Sequence, residues 1–215
     1  MLDSVLFDLD GLLIDSEPLQ FRAYRQAFAE FDVTLDRAGW ARWHAVEASS
    51  ARWIRDQGLD LDAVAVRARK KEIYDLLIAE ELQLKPGARA LVEACAAEYR
   101  LAIVSGSRRE SIVACLQKFD LDKHFKIYVS GSDMTRSKPY PDAYLDALRR
   151  LETSAARSIA LEDSLSGYRA ALAAELACVV CPDDFRLTPR DSFDQAALVV
   201  ESLHELDPAI LRALL

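Results

Sequence analysis

Short apolar runs and longer amphipathic stretches share this 215-residue chain unevenly. The first run is Val5-Leu6-Phe7-Asp8-Leu9-Asp10-Gly11-Leu12-Leu13, which carries two carboxylates two residues apart and then a glycine. An apolar run that stops at charges predicts a buried strand delivering its end to solvent. Strand side chains alternate faces, so Asp8 and Asp10 would share a face if the strand ran through both. Gly11 predicts that the chain turns instead, bringing both carboxylates to the rim of a sheet.

From Pro18 to Glu81 the pattern is helical throughout. Phe21, Tyr24, Phe28 and Phe31 recur at three- and four-residue steps and predict one amphipathic helix. Trp40 and Trp43 mark a second, Trp53 and Ile54 a third, and Val64 to Ile78 a fourth. After Pro86-Gly87, strand-like runs alternate with helices: Leu101–Val104, Ile127–Val129, Ile159–Leu161, Ala177–Cys181 and Leu198–Val200. Strand–helix alternation predicts an α/β fold, with a parallel sheet covered by helices on both faces. The first strand must join that sheet, because a lone strand cannot bury itself. The expected division is therefore a core of residues 1–15 and 86–215, interrupted by a helical insertion of residues 16–85.

Composition narrows the function classes. The net charge of −8 argues against nonspecific nucleic-acid binding, which needs a basic footprint. No apolar run reaches the length of a membrane span. The first residues enter a strand without the basic region and cleavage site of a secretory signal, so a cytoplasmic location is expected. The four cysteines form no disulfide framework in a chain of this length. Cys178 and Cys181 have CxxC spacing, yet they lie in an apolar run with no second pair nearby and read as small buried thiols.

The chemistry lies at the strand ends. The second strand ends in Ser105-Gly106-Ser107, where a hydroxyl and a permissive turn at a helix N-terminus suit a phosphate oxygen. Taken alone, Ser105 reads rather as a helix N-cap. After the third strand comes Ser137-Lys138-Pro139-Tyr140-Pro141-Asp142, whose prolines stiffen the loop; Lys138 there reads as a fixed positive charge over the rim or, taken alone, as a solvated lysine. The fourth strand ends in Glu162-Asp163. Alone they read as helix N-terminal acids; beside Asp8 and Asp10 they form a hard-oxygen set suited to Mg²⁺.

The ordered set, DxDG, then Ser, then Lys-Pro, then Glu-Asp, each after an apolar strand, resembles the four motifs of the haloacid dehalogenase-like hydrolase superfamily. The resemblance extends over essentially the whole chain. Asp15-Ser16-Glu17 and the helical insertion at that point resemble the phosphatase and β-phosphoglucomutase branch. The fold this implies is a Rossmann-like core with an all-α cap inserted after the first motif. The implied activity is Mg²⁺-dependent hydrolysis of a small phosphate ester through an aspartyl-phosphate.

In that resemblance Asp8 is the nucleophile and Asp10 the general acid and base. Asp8, the Asp10 backbone carbonyl, Asp163 and Glu162 are the implied metal ligands. Ser105, the Gly106 N–H and Lys138 are the implied phosphate contacts. An acid at position 10 disfavours dehalogenation.

Glu17, Gln20, His44, Glu47 and Lys70 in the insertion, and Ser107, Arg108 and Arg109 after the second motif, are candidate substrate contacts by position. Each also reads as ordinary surface or capping. Gln20 replaces a His of the β-phosphoglucomutases, and Ala48 or Ser49 stands where those enzymes carry an Arg that holds a distal phosphate, whereas Lys70 matches one of their lysines. Two departures against one match favour a phosphatase over a phosphosugar mutase. A non-catalytic binding protein of the same fold would have no need of Asp10. The expected partner is a small molecule, with no nucleic acid or membrane, and the chain is expected to be a monomer or weak dimer.

Overall fold

The computed structural model describes residues 1–45 and 49–215. The strands are β1 (Ser4–Phe7), β2 (Arg100–Ser105), β3 (Phe125–Ser130), β4 (Ser158–Glu162), β5 (Ala177–Val180) and β6 (Leu198–Val199). They form one all-parallel sheet in the order β3-β2-β1-β4-β5-β6. This is the order of a doubly wound Rossmann-like sheet, and its switch point lies between β1 and β4. Every residue of β1 is buried, as an unbroken apolar run between two partners requires.

Register aligns the strand ends. Phe7 lies opposite Ile103 of β2 and Leu161 of β4. One step on, Asp8 is level with Val104 and Glu162, and its N–H donates to the Leu161 carbonyl. The chain then turns tightly. The Gly11 N–H donates to the Ile14 carbonyl, while the Leu13 and Ile14 N–H groups both donate to Leu9. Gly11 has φ +88, a conformation that costs little only for glycine.

Two compact units result. The sheet unit comprises Met1–Ile14, Leu84–Asp183 and Pro189–Leu215. Its helices are α5 (Ala88–Ala96), α6 (Arg109–Lys118), α7 (Asp142–Leu151), α8 (Leu165–Ala173) and α9 (Pro208–Ala213). One buried cluster joins Leu6, Val104 and Ala160 of the strands to Tyr144 and Ala147 of α7 and Tyr168 and Ala171 of α8. Cys178 and Cys181 are both buried free thiols.

The helical unit comprises Asp15–Gln83 and Asp184–Thr188. It contains α1 (Glu17–Ala29), α2 (Arg37–Ala45), α3 (Ser50–Asp56) and α4 (Ala63–Glu81). Residues 184–188, which the sequence pattern leaves in the core, pack with the helices here. The Phe185 ring lies 5.6 Å from Phe21 and 3.3 Å from the Arg37 guanidinium. Phe21, Phe28, Trp40, Trp43 and Trp53 share one buried cluster. Phe31, expected on the apolar face of α1, departs from it: α1 ends at Ala29 and Phe31 lies beyond, exposed. Among the described residues no helix is long and apolar enough to cross a membrane.

Candidate active site

The carboxyl ends of β1, β2 and β4 bring together the chemistry that the sequence scatters. Asp8 is buried at the end of β1, and Lys138 reaches it from the β3–α7 connection. Lys138 Nζ donates to Asp8 Oδ1 at 2.5 Å, Glu162 Oε1 at 2.6 Å and the Val104 carbonyl at 2.8 Å. These three acceptors come from the level set by the strand register, so all three ammonium protons have partners.

Electrostatics follow from this crowding. Burial is the main cause that pushes the Asp8 carboxyl up to about 7; Lys138 pulls against it, while Glu162 and Asp10 push with it. Burial alone would lower Lys138, but the Asp8 and Glu162 carboxylates outweigh it and hold the ammonium above its usual range. A lysine between two buried carboxylates is the compensation that makes burying them tolerable.

Glu162 was read from sequence as a further metal ligand. Its carboxylate is fully buried and accepts from Lys138, from the Tyr144 hydroxyl at 2.6 Å and from Ser164 Oγ at 3.3 Å. It lies where a Cβ on Gly167 would be, 2.0 Å away, so α8 approaches it closely because residue 167 has no side chain. This geometry fixes the lysine. Asp163, the next residue, is also buried, and its Oδ2 falls 2.3 Å from where a Gly11 Cβ would stand.

Asp10 is held from β2. Ser107 Oγ donates to Asp10 Oδ2 at 2.7 Å and Ser105 Oγ to the same atom at 3.1 Å. The Ser107 N–H donates to Ser105 Oγ, and Ser130 Oγ donates to the Ser107 carbonyl at 2.6 Å. Ser107, a candidate substrate contact by position, therefore orients Asp10 in this structure. Gly106 is exposed, and a Cβ there would meet open space. Arg108 is the exposed N-cap residue of α6, and Arg109 pairs with Asp133 at 3.0 Å.

At the strand ends, two participants escaped the sequence reading. Ser130 ends β3 and opens Ser130-Gly131-Ser132, which repeats Ser105-Gly106-Ser107 at the next strand end and was a legible signal. Tyr144 carried none, because it reads as one more apolar position on α7.

The donor set suits a hard cation. Asp8, Glu162 and Asp163 each offer a carboxylate oxygen within 4.8 Å of the others. All-oxygen, anionic ligands at this separation match Mg²⁺ chemistry; Asp8 and Asp163 are the better placed because both Glu162 oxygens already accept, Oε1 from Lys138 and Tyr144 and Oε2 from Ser164, whereas Lys138 takes only Oδ1 of Asp8.

In the helical unit, Glu17 is buried, accepts from Arg186 Nη2 at 2.8 Å and lies 3.9 Å from His44 Nε2. Lys70 donates to Gln20 and lies over the Tyr74 ring at 4.1 Å. Glu47 lies outside the described residues. Arg186 was missed because its segment read as part of the core.

A Rossmann-like sheet whose switch point gathers Asp8, Asp10, Lys138 and Asp163 defines a hydrolase-type site of one family. The model for haloacid dehalogenase-like hydrolases matches residues 2–175, and the chain belongs to that family. It is 34% identical to protein CbbY of Cereibacter sphaeroides, over 96% of this chain and 94% of that protein. It is 32% identical to hexitol phosphatase B of Escherichia coli K12, over 94% and 93%. A crystal structure of a CbbY mutant from Rhodobacter sphaeroides, in complex with xylulose-(1,5)bisphosphate, is 31% identical with a TM-score of 0.82, over 96% of both chains.

Proposed function

We propose that this protein is a Mg²⁺-dependent phosphomonoester hydrolase that acts on a small phosphorylated metabolite through an aspartyl-phosphate on Asp8. The carrying observation is the asymmetry of the two aspartates. Asp8 is buried against a fixed ammonium, while Asp10 is held by two hydroxyls at one oxygen. The relatives named for sugar-phosphate and hexitol phosphatase chemistry support the same reading.

In this mechanism an Asp8 oxygen forms a bond to phosphorus as the ester P–O bond breaks. Protonated Asp10 gives its proton to the leaving oxygen. Asp10 then takes a proton from water, whose oxygen bonds phosphorus as the Asp8–phosphorus bond breaks. Phosphate leaves and Asp8 is a carboxylate again. Lys138 keeps Asp8 in place and supplies fixed positive charge beside the reacting group. Ser105 and the Gly106 N–H are the proposed contacts to the other phosphoryl oxygens. Asp8 and Asp163, with the Asp10 backbone carbonyl, are the proposed Mg²⁺ ligands. The ion, when bound, supplies the charge that lets a carboxylate approach an anionic phosphate.

The test is a phosphate-release screen across sugar and polyol phosphates with Mg²⁺, run beside Asp8→Asn. Turnover of at least one ester that Asp8→Asn abolishes is expected. An unchanged rate in Asp8→Asn overturns the reading.

A further inference from the structure

One tripeptide occurs at two neighbouring strand ends, Ser105-Gly106-Ser107 after β2 and Ser130-Gly131-Ser132 after β3. Ser105 and Ser130 are partners in the sheet, so the two tripeptides leave it side by side. Only the first carries groups that the phosphatase reading uses, yet the second is tied to it. Ser130 is fully buried and donates from Oγ to the Ser107 carbonyl at 2.6 Å. A hydroxyl has a single proton, so Ser132 donates to Ser130 Oγ, from its hydroxyl at 2.7 Å and from its N–H at 3.3 Å. Beyond the tripeptides, Arg109 at the start of α6 pairs with Asp133 of the second loop at 3.0 Å.

The closest approach is between the two glycines. A Cβ on Gly131 would lie 2.8 Å from the Gly106 Cα and 3.3 Å from the Gly106 carbonyl oxygen. Both distances fall inside ordinary van der Waals contact, and backbone cannot swing aside as the end of a long side chain can. The backbone at Gly131 is not left-handed, so an alanine could adopt it. What keeps residue 131 bare is the Gly106 backbone pressed against it. The relation runs one way, because a Cβ on Gly106 would meet open space.

We propose that the loop after β3 is a positioning element for phosphoryl transfer: Gly131 sets the place of the Gly106 N–H, and Ser130 sets the place of Asp10 through Ser107. What Gly106 and Asp10 do rests on the phosphatase reading above. The second route is a relay of hydrogen bonds, from Ser130 Oγ to the Ser107 carbonyl and from Ser107 Oγ to Asp10 Oδ2 at 2.7 Å. The two routes govern different steps. A phosphoryl oxygen meets the Gly106 N–H in the bound ester and in the transition state alike, so Gly131 acts on affinity. The Asp10 proton moves only in the transition state, so Ser130 acts on kcat.

Calorimetric titration of the full chain with inorganic phosphate, in the presence of Mg²⁺, reads the first route without turnover. Gly131→Ala should weaken phosphate binding about fivefold or more and raise KM for an ester by a similar factor, with kcat changed less than about twofold. Unchanged phosphate affinity and KM in a folded Gly131→Ala overturn the proposal. Should Gly131→Ala not fold, the Ser130 variants decide it alone.

Ser130→Ala should lower kcat by about three- to tenfold at constant KM. In a Ser107→Ala background the same change should lower kcat by less than about twofold, because the hydroxyl it positions is already gone. An equal fall in both backgrounds is what a merely structural serine gives, and it overturns the relay to Asp10. Phosphate binding that Gly131→Ala weakens, without release from any ester by the wild type, would overturn the phosphatase reading alone. Release by the wild type that neither variant alters would overturn the positioning role alone.

Discussion

Lys138 Nζ lies 2.5 Å from Asp8 Oδ1, although the two residues are 130 positions apart in the chain. The lysine is 11% exposed and the aspartate 9%, so the pair is shielded from water. Parallel strands set this distance. β4 ends one residue beyond the level at which β1 ends, and the connection after β3 brings the lysine to the Val104 carbonyl of β2, on the opposite side of β1 from Glu162.

Lys138→Met is therefore expected to damage the fold as well as the site. Asp8 and Glu162 would be left buried without their shared cation, at a cost of about 3–5 kcal/mol. The midpoint of urea unfolding should fall, and phosphate release should be lost. A variant as stable as the wild type would refute the role given to the ammonium.

Ser107→Ala removes one of the two hydroxyls that hold Asp10 Oδ2. Hydrogen bonds to charged groups contribute about 1.5–3 kcal/mol, so kcat should fall by roughly 10–100-fold. KM and the unfolding midpoint should change little. Steady-state kinetics check this; a rise in KM at constant kcat would instead make Ser107 a substrate contact.

Gly167→Ala places a methyl 2.0 Å from the Glu162 carboxylate. The overpacking is expected to cost about 1–3 kcal/mol and to displace the anchor of Lys138, lowering activity with stability. Gly106→Ala, whose Cβ meets open space, should fold normally. Paired thermal melts and phosphate-release assays compare the two.

His44 sets a pH dependence in the helical unit. Burial, with the Arg186 charge nearby, keeps its imidazole neutral in the folded chain down to about 3, whereas an unfolded histidine binds a proton near its ordinary value of about 6.5. Between these values the unfolded state holds more protons, so stability rises with pH and falls on acidification. His44→Gln should flatten the slope over that window by at most about 1.4 kcal/mol per pH unit. Urea midpoints of both proteins at several pH values measure the difference; identical slopes would refute the neutral imidazole.

Much of this site was legible from the chain alone, for a physical reason. Parallel strands buried on both faces are apolar to their last residue, so polar residues that follow them mark the rim. Asp8, Ser105 and Glu162 were found in that way. What a rim residue turns toward was not legible. Glu162 and Asp163 are adjacent and acidic, yet one packs against Gly167 and holds Lys138, while the other packs against Gly11. Only the close approach of α8 and the turn at Gly11 separates their roles. The hydrogen bond from Ser107 to Asp10 was not legible either, because the two residues are 97 positions apart in the chain. Residues 184–188 joined the helical unit through Phe185 and Arg186, contacts that no local pattern reveals. Phe31 kept the helical period after the helix itself had ended.

The central claim is that Asp8 carries the phosphoryl group and Asp10 clears it. Asp10→Asn incubated with acetyl phosphate and Mg²⁺, a donor whose leaving group needs no acid, should retain one phosphoryl group. Peptide mass spectrometry should locate it on Asp8, and hydroxylamine should remove it. A phosphoryl group on another residue such as Ser105, or none at all while the wild type releases phosphate, would contradict the account.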